Sequence, residues 1–144
     1  MSCLPPRFLI LKALGKSSNG SVKWVSHSCA HVDDIMVSFD QNTNEVSCEA
    51  CNDFLSYHAI CILMLKGVLP VDERISRPLK EIDWDTYVDN YAGAESDVKR
   101  ELFVKGVTEE YVDSYIERVM KRIRENGFKF RSANKQQSLL FSYK

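Results

Sequence analysis

Residues 37–70 read VSFDQNTNEVSCEACNDFLSYHAICILMLKGVLP, and the fold class follows from a change of period inside this stretch. Ile35, just ahead of it, then Val37 and Phe39 alternate with polar neighbours, as a half-buried strand does. Residues 40–44 turn the chain and residues 45–48 return it. After Asp53, a helix-capping residue type, an apolar run at 59–65 replaces the alternation. Gly67 and Pro70 then mark its end. The spacing therefore predicts a hairpin followed by a helix over 53–66.

Working outward, residues 7–14 (RFLILKAL) are apolar and read as a strand. Residues 15–20 (GKSSNG) are a turn signal, with Asn19-Gly20 the strongest pair in it. Residues 21–26 read as the returning strand, with Val22, Trp24 and Ser26 on one face. Toward the C-terminus, residues 71–82 look like an extended connection. Trp84, Tyr87, Val88 and Tyr91 recur at helical spacing, as core more than as a binding face. Ser96 is placed to cap a short helix that ends at Gly106. Thr108 opens the clearest helix, whose stripe is Val112, Tyr115, Ile116, Val119, Met120 and Ile123. Asn126-Gly127 stops it, and residues 128–131 and 139–143 suggest a closing hairpin. The expectation is an α+β fold in a single domain, 1–144. It has two N-terminal β-hairpins, a zinc-bound hairpin–helix unit at 35–70, a helical region at 83–127 and the short closing hairpin.

At 144 residues the chain can bury one core, and no apolar run approaches the ~18 residues of a membrane span. No secretory leader is evident, which points to the cytoplasm or nucleus. The five cysteines are an odd number, which argues against a disulfide framework and, in a reducing compartment, for metal. The net charge of −1 is unevenly placed. Residues 1–25 hold four bases and no acids, residues 26–113 seven bases against eighteen acids, and residues 114–144 eight bases against two acids. Strong nucleic-acid binding is not supported by the total, although the two basic ends would form a patch if they met.

Cys48, Cys51, His58 and Cys61 form the pattern C-x2-C-x6-H-x2-C. Two thiols from a tight turn and two ligands sharing a helix face at i, i+3 suit one tetrahedral Zn2+. Such a shell is closed, so it is structural rather than catalytic. Two other readings stay open: Cys61 as a small core residue and His58 in a polar network, or Cys48 and Cys51 as a redox pair. His27, Cys29 and His31 alternate as strand residues do and are a second metal candidate, against a reading as strand-edge polar residues.

The 37–70 segment resembles a SWIM-type zinc finger. That family places a cysteine pair at the end of a hairpin and a Cys-x-His pair on the following helix. Cys48 and Cys61 match its first and third ligands. The first pair here is C-x2-C rather than C-x-C, and His58 precedes Cys61 instead of following it. The resemblance implies a nucleic-acid-binding module. A second resemblance, on Val37-Ser38-Phe39 ahead of Cys48 and Cys51 and on length, is to the small zinc-binding first-reading-frame proteins of sobemoviruses. It implies suppression of host RNA silencing and support of viral spread.

Arg118, Lys121, Arg122 and Arg124 make a basic face on the Thr108 helix. It reads first as a solvated face that offsets the helix dipole, and second as a nucleic-acid contact. Phe128, Lys129, Phe130 and Arg131 interleave aromatic and basic groups, as a half-buried strand does and as a single-strand binder does. There is no phosphate loop and no nucleophile elbow. The expected function is non-enzymatic: a zinc-held accessory protein that binds a cellular or host protein, with RNA as the alternative partner.

Overall fold

The computed structural model describes residues 4–51, 54–87 and 90–131. The order of elements is α1 (Arg7–Lys16), β1 (Val22–Ser26), β2 (Cys29–Val32), β3 (Ile35–Asp40), β4 (Glu45–Cys48), α2 (Tyr57–Leu65), α3 (Glu73–Leu79), a 3-10 turn (Trp84–Thr86), α4 (Tyr91–Val104), α5 (Glu109–Asn126) and β5 (Lys129–Arg131). The fold is α+β with a helical C-terminal half. Among the described residues five strands form one sheet in the order β1-β2-β3-β4-β5. The first four are an antiparallel meander, and β5 joins β4 in parallel, with Val46 opposite Phe130.

The second predicted hairpin is present: β3 pairs with β4, Val37 opposite Cys48 and Phe39 opposite Val46. Val37, Phe39 and Val46 are buried, so the period-2 reading holds. Residues 7–14 are corrected from strand to helix. Pro6 starts α1, and seven of its ten residues are buried because the helix runs through the core. Asn19-Gly20 accordingly turns the chain from a helix into β1, and the partner of β1 is β2. The loop between β2 and β3 is a two-residue turn at Asp33 and Asp34, both with positive φ (48° and 72°), the geometry that matches the twist of a hairpin.

In the helical half, α2 begins at Tyr57 with Ser56 as its cap; Asp53, the expected cap, lies outside the described residues. Residues 71–82 hold a helix rather than an extended connection, since Asp72 accepts from the Ile75 N–H at 3.2 Å and starts α3. Trp84 sits in a 3-10 turn, not an α-helix, and Tyr91 opens α4 behind an Asn90 cap. Ser96 is interior to α4. Thr108 caps α5 as expected, accepting from the Tyr111 N–H at 3.2 Å, and all six stripe residues are buried. Gly127 ends α5 in the left-handed region. The first strand of the expected closing hairpin is present as β5, which joins β4 in parallel through the long crossover that the helices supply. Val88 and residues 139–143 lie outside the described residues.

Candidate functional site

Cys48 ends β4 and Cys51 follows in a turn closed by the Cys51 N–H donating to the Cys48 carbonyl at 3.3 Å. The chain then enters α2 through Ser56. The Ser56 hydroxyl accepts from the Ala59 N–H at 3.3 Å, which is the cap hydrogen bond. The same Oγ lies 3.4 Å from Cys48 Sγ, 3.7 Å from Cys51 Sγ and 3.3 Å from His58 Nδ1. The Ser56 N–H in turn donates to Cys51 Sγ at 3.4 Å. Three of the four sequence-predicted ligands therefore converge on one hydroxyl. Among the described residues, no group of three or more His, Cys, Asp or Glu side chains is arranged to hold a metal ion.

All three are buried, and burial sets their chemistry. The hydrogen bond from Cys51 holds the Cys48 thiol below its usual value, and Cys51, as its donor, is pushed up. Burial lowers His58 to about 4, so its ring is neutral near pH 7. Cys61 stands one turn further along α2. Burial raises it to about 12, and the charges that reach its thiol are those of Asp33 and Lys16.

The His27, Cys29 and His31 cluster is divided by the turn. Cys29 and His31 share a face of β2, but His27 lies in the β1–β2 turn, where its carbonyl accepts from Lys66 Nζ. The basic face of α5 is partly engaged. Arg118 pairs with Asp72 at 3.6 Å, and Arg122 donates to the Val68 carbonyl at 3.4 Å. Tyr111 and Tyr115 donate to Asp72 and to the Pro70 carbonyl, at 2.7 and 2.8 Å, so α5 straps the 68–72 segment down. Lys121 and Arg124 remain exposed. At the N-terminal end, Arg7 is bound by Glu95, Asp113 and Glu117, and Lys16 by Asp33, so these bases are matched by acids of the middle region together with Glu117 from beyond it.

A family model described as Uncharacterised conserved protein UCP014422 matches residues 3–129. The chain belongs to that family. The UCP014422 match takes in the whole cysteine–histidine cluster, every described helix and the start of β5. No curated protein and no solved structure matches the chain. Among the described residues no helix is long and apolar enough to cross a membrane.

Sequence reasoning missed two participants. Ser56 carries only the ordinary signal of a helix cap. Asp33 accepts from Tyr57 Oη at 2.7 Å and pairs with Lys16 at 2.7 Å, while the Tyr57 ring stacks on His58 with centroids 3.8 Å apart. The stack fixes one face of the cluster.

Proposed function

We propose that the chain is a zinc-stabilised, non-enzymatic regulatory protein that acts by binding a cellular or host protein. The observation that carries this reading is the meeting of Cys48, Cys51 and His58 at one hydroxyl, delivered by the end of β4, the turn after it and the start of α2. Two thiols and a neutral imidazole are the soft donors of structural zinc sites. Cys61 supplies the fourth donor on this reading. It shares a helix face with His58, and a thiolate binds zinc far better than the neutral hydroxyl of Ser56. The Ser56 hydroxyl then gives up the centre of the cluster and keeps its role as cap.

The acidic middle of the chain and a closed metal shell favour docking over chemistry. Suppression of RNA silencing and support of viral spread are functions of this partner-binding kind, and they rest on sequence resemblance alone. Nucleic-acid contact through α5 is the weaker reading, because Arg118 and Arg122 are engaged within the chain. The deciding experiment is the metal content of protein purified without added zinc. One zinc per chain is expected, lost in Cys48→Ser and Cys61→Ser and retained in Ser56→Ala. Because ligation and folding are linked, chelation should lower Tm. Metal-free protein with an unchanged Tm would refute the reading.

A further inference from the structure

A cleft of about 160 Å³ is lined by Lys12, Tyr57, Trp84, Asp85, Tyr87 and Tyr91, with Tyr57 shared between it and the His58 stack. Its aromatic wall packs around buried Phe8. Tyr91 stacks on Phe8 at 5.9 Å and 19°, while Trp84 and Tyr87 meet it edge-on at 5.8 and 5.9 Å. Trp84 is buried, and its Nε1–H has no acceptor among the described residues. Tyr91 keeps 42% of its surface open. The Lys12 ammonium lies 4.2 Å from the Tyr57 ring centroid, and the charge of exposed Asp85 reaches both Lys12 and Tyr57.

Each wall narrows the ligand. Exposed rings held in place stack planar heterocycles of any kind. A cationic guest is disfavoured, because Lys12 already occupies the Tyr57 face and repels a second positive charge in so small a cleft. Asp85, as a carboxylate, takes only N–H or O–H donors, and Lys12 offers only donors to an anion. A planar ring with donors on its edge and a phosphate beyond it satisfies all three. Guanine alone among the common bases presents two adjacent N–H donors, N1–H and N2–H, to the two oxygens of one carboxylate. The volume is below the roughly 300–1,000 Å³ of sites that enclose a whole ligand, so the ring system enters and the sugar stays outside.

We propose that this cleft binds a guanine nucleotide, with the base on Tyr87 and Tyr91, its donor edge on Asp85 and its phosphate toward Lys12. The guanine comes either as free mononucleotide or as an unpaired base of single-stranded RNA.

Full-length Trp24→Phe protein leaves Trp84 as the sole indole reporter. Titration with GMP should quench it saturably, at least tenfold tighter than AMP, CMP or UMP. Asp85→Asn should abolish that preference, and Tyr91→Ala should weaken all four nucleotides. Lys12→Ala should weaken GMP more than guanosine. Asp85 is exposed, so Asp85→Asn keeps the fold, and thermal melts of Tyr91→Ala and Lys12→Ala separate lost binding from lost packing. A short guanine-containing RNA that binds tenfold tighter than GMP makes the strand the source, and equal affinity makes it the free nucleotide. Absence of saturable quenching by GMP, equal affinity for all four nucleotides, or tighter binding of trimethyllysine would each overturn the proposal.

Discussion

Asp33 occupies a backbone conformation that few side chains adopt, and its carboxylate joins two parts of the protein. It sits at φ 48° in the β2–β3 turn, accepts from Tyr57 Oη and pairs with Lys16 of α1. Burial works to raise its pKa, and the hydrogen bonds from Lys16 and Tyr57 outweigh it, so the net shift is downward. A carboxylate with a depressed folded-state pKa adds stability above its unfolded value, and loses it as pH falls through the folded one. Asp33→Asn, which tolerates the same left-handed backbone, should therefore cost about 1 kcal/mol at pH 7. The deficit should begin to shrink as pH falls below roughly 4 and vanish only below the depressed folded-state pKa. Denaturant titrations at pH 7 and pH 3 check this, and a deficit independent of pH would mean the charge is not the reason. The turn was hidden in the sequence because Asp-Asp lacks the glycine that normally marks such hairpins, and the pairing of β2 with β3 was hidden with it. Cys48, Cys51 and His58 were legible because ligand spacing is a property of residue types. Ser56 was not, because a serine before a helix has an ordinary explanation.

The helices divide by how they meet water. α5 has one wet and one dry face, so its stripe could be read directly, and its faces differ in energetic weight. Ile116→Ala should cost about 2–5 kcal/mol, whereas Arg122→Ala on the exposed face should stay within about 0.5 kcal/mol. Equal losses in thermal melts of the two variants would show that the faces are exchanged. α1 is buried on nearly every side, so it has no amphipathic signature, and a short apolar run cannot be told from a strand by period. Its approach to the Trp84 turn is tight at Gly15, where an added Cβ would stand 2.5 Å from Trp84 Cζ2. Gly15→Ala should cost about 1–3 kcal/mol by overpacking and shift the Trp84 emission. An unchanged spectrum and stability would show that this contact has room to relax. α3 escaped notice because it is only seven residues long and carries Pro78.

At the scale of the molecule, one ionic network ties three helices together. Arg7 of α1 meets Glu95 of α4 at 3.1 Å and Glu117 of α5 at 2.6 Å. Lys99 of α4 joins Glu95 at 2.9 Å, Glu109 at 3.6 Å and also Asp113. Lys99 and Glu95 are largely sheltered, with side chains 11% and 15% exposed, so salt screens this pair less than a surface pair. Lys99→Met leaves Glu95 without its closest partner and should cost about 1–3 kcal/mol. A loss that disappears entirely in 1 M salt would place the network at the surface instead. The charge segregation legible in the sequence is thus resolved inside the fold, where N-terminal bases meet acids of the middle region. The parallel seating of β5 has a consequence for how the protein is made. β4 is synthesised early, yet the strand that covers its free edge comes only after α2, α3, α4 and α5. During vectorial synthesis that edge has no partner from its own chain until residue 131 has emerged, and unpaired edges recruit strands from neighbouring molecules. A growing chain thus passes through a window in which crowding on polysomes or the timing of chaperone release decides between a closed sheet and an intermolecular one.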